Sequence, residues 1–128
     1  MKVKRETKIK EMLCSCDTCD DNHEYFVKLQ QLGNNLRLDE TLNPLLIFLN
    51  ALGNKERLII TKALKDKDRC VCELEAILDK SQPSISHHLR ALEKANLIRG
   101  WKRGKFTYYT LMNKELHNQL TILNKELE

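Results

Sequence analysis

Nowhere does this chain carry the roughly 18 to 20 consecutive apolar residues that a membrane span needs, and its opening MKVKRETKIKEM lacks the apolar core of a signal peptide. These absences exclude a helical membrane protein and point to the cytoplasm. Aromatic residues make up only 5% of the chain, while Leu and Ile recur at helical spacings, so an α-rich fold with little sheet is expected. No nucleophile-base pair, phosphate loop or paired-carboxylate motif stands out, which argues against an enzyme. Internal repeats and low-complexity tracts are also missing. A length of 128 residues suits one compact domain with short extensions.

Charge is present, and its placement says more than its size. Between Lys80 and Phe106 the basic residues Lys80, Arg90, Lys94, Arg99, Lys102, Arg103 and Lys105 face only Glu93, a local excess of +6 that leaves −2 for the rest of a chain whose net charge is +4. A concentrated basic stretch on a near-neutral protein is the footprint of a phosphate-binding surface. The plainer alternative is an ordinary solvated face.

Residues 1–21 end in CSCDTCDD and show no sustained apolar stripe, so they read as an N-terminal arm ahead of a domain over 22–128. His23 to Leu38 has a helical pattern weakened by Gly33. Asn43-Pro44 marks a boundary, after which LLIFLNAL is a short helix closed by Gly53 and apolar enough to be buried. Asn54 can cap a further helix that places Leu58, Thr61 and Leu64 on one face. Another short helix begins near Cys72, with Leu74, Ile77 and Leu78 turned inward. Ser81 caps the next one, and Pro83 is tolerated in its first turn.

That helix carries Ile85, Leu89 and Leu92 on one side and Ser84, His87 and Arg90 on the other. One face packs and the other is free to read. Beyond Asn96, β-formers flank a Lys-Arg-Gly turn, a hairpin signal. Trp101, Phe106, Tyr108 and Tyr109 are expected to hold that hairpin against the core. The final segment places Leu116, Leu120, Leu123 and Leu127 on one stripe, which either packs within the chain or serves a dimer.

Two short helices joined by the tight LDKSQ turn, the second with a polar outer face, form a helix-turn-helix, and the basic hairpin follows as a wing. The expected fold is mainly α with a small β-hairpin, a winged helix-turn-helix. Gln82, Ser84, Ser86, His87 and Arg90 offer donors and acceptors suited to base edges and phosphates in a major groove. Lys102, Arg103 and Lys105 of the wing suit phosphates or the minor groove, and double-stranded DNA is the partner these residues point to. His87 and His88 diverge on the helix, so DNA contact is assigned to the first and packing or hydrogen bonding to the second.

In a reducing compartment an odd set of five cysteines reads as metal ligands or redox thiols rather than a disulfide framework. Cys70 and Cys72 sit where a loop enters a helix. An extended entry residue and a first-turn residue can both reach one ion, although two positions apart in a continuous helix they would diverge by about 200°. Cys14, Cys16 and Cys19 form a C-x-C-x-x-C run beside Asp17, Asp20, Asp21 and His23. The plain alternative for that run is an arm whose thiols merely scavenge ions.

The stretches NALGNKERLIITKAL, CVCELEAILDKSQPSISHHLRALEKANLI and RGKFTYYTL resemble the ArsR/SmtB family of metal-sensing repressors over roughly Leu45 to Leu111. The resemblance implies a homodimeric winged-helix repressor that holds a palindromic operator and releases it when an ion binds, with the terminal helices building the dimer. It also implies that CVC followed by an acidic residue and Leu is the metal-binding box. Arsenic-sensing relatives often carry a third cysteine where this chain has Glu75, whereas the cadmium and lead branch recruits N-terminal cysteines, and this chain fits that layout better. A second family site on the C-terminal helices is not expected, because Asn113 and Glu115 fall at its carboxylate and His positions and His117 is displaced.

Cys70 and Cys72 with one arm thiolate would make an S₃ site for As(III) or Sb(III). With two arm thiolates they would make an S₄ site for Cd(II), Zn(II) or Pb(II). Two other readings stand beside this sensor. One is a redox switch in which Cys70 or Cys72 forms a disulfide with an arm cysteine; the other is a metal-storage or trafficking protein.

Overall fold

The structure, a computed structural model, describes residues 2–13 and 22–128, and Cys14, Cys16 and Cys19 lie outside the described residues. The chain divides into two compact units, Met1–Glu40 and Thr41–Glu128.

In the first unit α1 (Lys2–Leu13) packs against α2 (Asn22–Arg37). The segment expected as an arm thus contains a helix, built from the good helix formers Lys, Arg, Glu, Met and Leu rather than from an apolar stripe. Phe26 is buried here, with the Lys10 ammonium 5.1 Å above its ring centre. Leu29, Leu32 and Leu36 on α2 stay exposed.

The second unit runs α3 (Leu42–Leu52), α4 (Lys55–Asp66), β1 (Arg69–Cys70), α5 (Val71–Leu78), α6 (Gln82–Lys94), β2 (Ile98–Arg103), β3 (Phe106–Leu111) and α7 (Asn113–Leu127). Its core centres on Phe48, Ile60, Leu74, Ile85, Leu89, Leu92 and Leu97. Asn54 does cap α4, accepting from the Arg57 N–H at 3.2 Å.

Three expectations about faces change. In α3 only Leu45, Phe48 and Ala51 are buried, while Leu46, Ile47 and Leu49 are exposed, because a helix laid on one core buries one stripe however apolar its remainder. In α4 the inward residues are Ile60 and Leu64, four apart, and Leu58 points outward. Ile77 in α5 is likewise exposed and Leu74 alone is buried there.

The hairpin forms where expected and gains a partner. β3 is the central strand of a three-stranded antiparallel sheet in the order β1-β3-β2. Two residues are too few to show alternation, so β1 leaves no pattern in the sequence. The register pairs Ile98 with Leu111 and Arg103 with Phe106, leaving Gly104-Lys105 as the turn. Gly104 opens it at φ +62°, a conformation that costs glycine little. Gly100 faces Tyr109, whose ring would lie 3.1 Å from an added Cβ, so a side chain there would push the tyrosine off the core.

Leu116 and Leu123 of α7 pack on the core, but Leu120 and Leu127 are exposed and α7 has no buried residue. Half of the terminal stripe is used within the chain. No described helix is long and apolar enough to cross a membrane.

Candidate nucleic-acid interface and thiol site

The reading helix is positioned by the turn before it. α5 ends at Asp79, whose left-handed φ of 53° reverses the chain while its N–H bonds the Glu75 carbonyl. Ser81 follows as the N-cap of α6 and its carbonyl accepts from the Ile85 N–H at 3.0 Å, with Pro83 in the first turn. Ile85, Leu89 and Leu92 then fix the helix by burial at 0%, 2% and 0% exposure. Gln82, His87 and Arg90 are exposed and Ser84 and Ser86 are half-buried, so the residues expected to meet DNA are on the outer side.

Lys102, Arg103 and Lys105 cluster at the hairpin tip, all exposed. The aromatic residues divide their work differently from expectation. Tyr109 packs on the core, while Trp101 and Tyr108 stack on each other with ring centres 4.9 Å apart and Phe106 is exposed. The stacked pair is long enough to stiffen the hairpin without reaching the core.

Behind α6, Arg57 ties three elements together. Its Nε donates to the Ala51 carbonyl at 2.7 Å, one Nη to the Asn50 carbonyl at 3.1 Å, and the other lies 3.2 Å from Nδ1 of His88. His88 therefore has the internal bonding role expected of it. Burial first, and the Arg57 charge second, push its pKa below the usual 6.5.

Because the unfolded chain protonates this group more readily than the folded one, its contribution to stability is complete above pH 6.5 and is lost as pH falls below that value. Urea midpoints should accordingly drop between pH 7.5 and 5.5 in the parent and drop less in His88→Gln. Equal drops would remove His88 from the account.

The thiol pair lies one element upstream. Cys70 is the N-cap of α5 in extended conformation and is buried, and Cys72 in the first turn is exposed. A capping box holds the junction: the Cys70 sulfur accepts from the Glu73 N–H, and the Glu73 carboxylate accepts from the Cys70 N–H at 3.1 Å. That bond holds the Glu73 carboxyl below its ordinary value. The Arg69 guanidinium spans Asp66 at 3.0 Å and Glu73 at 3.5 Å.

Burial, then the hydrogen bond with the neighbouring Cys72 thiol, push the Cys70 thiol up. The two thiols sit two residues apart at the head of α5, one buried and one exposed. Among the described residues no group of three or more His, Cys, Asp or Glu is arranged to hold an ion.

A cleft of about 230 Å³ brings Cys72 and Glu75 of α5 together with Gln82 of α6 and Lys105 of the wing. A second, of about 280 Å³, is flanked by Arg57, His87 and Lys94. The sequence did not show that the thiol and two of the residues expected to meet DNA share one opening. That proximity depends on the β1 pairing, which two residues could not announce.

Known proteins match this arrangement. Residues 54–99 fit the family described as "Bacterial regulatory protein, arsR family". The arsenical resistance operon repressor of Bacillus subtilis is 35% identical over 89 residues, which cover 66% of this chain and 85% of that protein. The cadmium resistance transcriptional regulatory protein CadC of Listeria innocua is 36% identical over 76 residues, 59% of this chain and 64% of the regulator's own length.

Among solved structures, HlyU from Vibrio cholerae is similar with a TM-score of 0.58 at 28% identity, covering 69% of this chain and 96% of its own. A possible transcriptional regulator for arsenical resistance gives 0.56 at 32% identity, over 62% and 81%. With its helix-turn-helix, its wing and a repressor match spanning most of that relative, the chain belongs to the arsR family of bacterial regulatory proteins.

Proposed function

We propose that this protein is a homodimeric DNA-binding repressor that releases its operator when a thiophilic metal or metalloid ion is held by its cysteine thiolates. The observation that carries the reading is the cleft shared by Cys72, Gln82 and Lys105, which sets a thiol beside side chains suited to DNA contact. The printed names of the relatives, cadmium and arsenical resistance regulators, support an effector of that chemistry.

Gln82, Ser84, Ser86, His87 and Arg90 enter the major groove, and Lys102, Arg103 and Lys105 hold flanking phosphates. Two such surfaces are needed for a palindromic site. The exposed Leu46, Ile47 and Leu49 of α3 and Leu120 and Ile122 of α7 supply an apolar face that a second copy covers.

The donor chemistry fits a soft ion. Cys70 and Cys72 offer two sulfurs at the head of one helix. Cys14, Cys16 and Cys19 complete the set, one of them for an S₃ site or two for S₄, in a domain layout of an arm over 1–21 and a winged domain over 22–128. As(III), Sb(III), Cd(II), Pb(II) and Zn(II) are the ions such sites take. To ligate, Cys70 must leave its capped, buried position, which shifts α5 and, through the Asp79 turn, α6. Release requires that the thiolates bind the ion more tightly in the DNA-free conformation.

A salt titration tests the DNA half of the reading. Each phosphate contact adds about 0.9 to the slope of log K against log salt, so neutralising Lys102, Arg103 and Lys105 together should flatten that slope by roughly three for each bound wing. An unchanged slope would take the wing off the DNA.

A further inference from the structure

Across the three strands, Cys70 of β1, Tyr108 of β3 and Trp101 of β2 are consecutive partners on one rung of the sheet. Directly opposed residues share a face and their side chains interact, and here the Trp101 and Tyr108 rings stack with an interplanar angle of 20°. Beside that rung a hydrogen-bonded triangle fastens the loop leading into Cys70 to the hairpin. The Thr110 hydroxyl donates to Asp68 Oδ2 at 2.6 Å, and the Trp101 Nε1–H is shared between Asp68 Oδ2 at 3.2 Å and Thr110 Oγ1 at 3.0 Å. Asp68 is two residues before Cys70, and Trp101 is followed directly by the basic Lys102 and Arg103.

We infer that Asp68, Thr110 and Trp101 are positioning residues that transmit the state of the thiol site to the wing, a second output beside the one through α6. This rests on the sensor reading above. Cys70 is held on both sides: its backbone is paired to β3, and its sulfur is buried at the head of α5. When Cys70 turns its sulfur outward to ligate, β1 moves, and the triangle passes that displacement to β2 at the residue before the basic tip. Without the triangle the loop leading into Cys70 loses its side-chain tie to Trp101 and Thr110, and β1 keeps its two-residue pairing with β3. The wing is then free to keep its DNA-bound position while the thiols hold the ion.

Trp101 is the chain's single tryptophan, so its emission reports this rung alone. The experiment uses the full-length reduced protein with Cd(II) as the probe, comparing parent, Asp68→Ala and Thr110→Val. Operator affinity is measured with and without Cd(II), thiolate-to-metal charge-transfer absorbance reports ion binding, and Trp emission is followed in the parent.

Coupled sites usually change one another's affinity by about 5- to 150-fold. In both variants Cd(II) binding and ion-free operator affinity should stay within about threefold of the parent, while the Cd(II)-driven loss of operator affinity falls at least about fivefold. Trp101 emission in the parent should change in step with thiolate absorbance.

Unchanged coupling in variants that bind both partners overturns the inference, as does release without any change in Trp101 emission. A variant that only lowers thermal stability and leaves the coupling ratio intact assigns the triangle to the fold and also overturns it. If the parent binds Cd(II) through its thiolates yet keeps its operator, the sensor reading itself fails, and that result is distinct from the others.

Discussion

Cys70→Ser is expected to retain its operator within about threefold of the parent and to lose ion-driven release altogether. The fold should survive, because serine is itself a preferred N-cap and can accept the Glu73 N–H that the sulfur now accepts. The Glu73 carboxylate still receives the Cys70 position's backbone N–H, so both halves of the capping box remain. A hydroxyl, however, is a poor ligand for a soft ion. Loss of outer-shell partners alone costs metal sites about 10- to 100-fold in affinity, so loss of a ligand should cost at least about 100-fold. Isothermal titration with Cd(II) and operator anisotropy on the same sample separate the two effects. Full ion-driven release by Cys70→Ser would remove Cys70 from the site.

The second large effect comes from neighbouring positions on the reading helix that face opposite ways. Leu89 is 2% exposed in the centre of the core, and Arg90 is exposed. Leu89→Ala should cost about 2 to 5 kcal/mol of stability through the lost methyl groups and the cavity left behind. For a unit of this size that lowers the melting temperature by on the order of 10 °C or more. Arg90→Ala should leave melting within a few degrees, since exposed substitutions usually stay within about 0.5 kcal/mol.

The loss for Arg90→Ala should instead be about 1 to 3 kcal/mol of operator affinity. Whether it is uniform across operator variants or confined to one base pair tells a phosphate contact from a base contact. Equal melting losses in the two variants would mean that α6 does not present the faces described.

What could be read in the sequence follows from how each signal is encoded. The reading helix was legible because Ile85, Leu89 and Leu92 recur at the helical period over about two turns, with Ser81 and Pro83 marking its start. The hairpin was legible from β-formers either side of Lys-Arg-Gly. Less was legible where apolar residues exceed what one face can bury: in α3 the run LLIFLNAL gives no sign of which half is inward. That is decided by neighbouring elements, as it is for Leu58 and Ile77.

At the thiol site, C-x-C placed two candidate ligands at a helix entrance, and the fold has them there, Cys70 buried and Cys72 exposed. It did not show β1, the Glu73 capping box, or the Asp68, Thr110 and Trp101 triangle. The strand and the triangle tie together residues more than 30 positions apart, which no local periodicity records; the capping box spans three residues, but cysteine is not among the N-cap residues that usually mark one.

The central claim is that a thiophilic ion, held by these cysteines, releases DNA. Its most direct test is fluorescence anisotropy of the full-length reduced protein on DNA from upstream of its own gene. As(III), Cd(II), Pb(II) and Zn(II) are titrated in turn, and an oxidant separately. The account predicts that at least one of these ions lowers operator affinity at a stoichiometric ratio to protein while the thiols stay reduced. Release by oxidant alone, with every ion without effect, would make the cysteines a redox switch and contradict it.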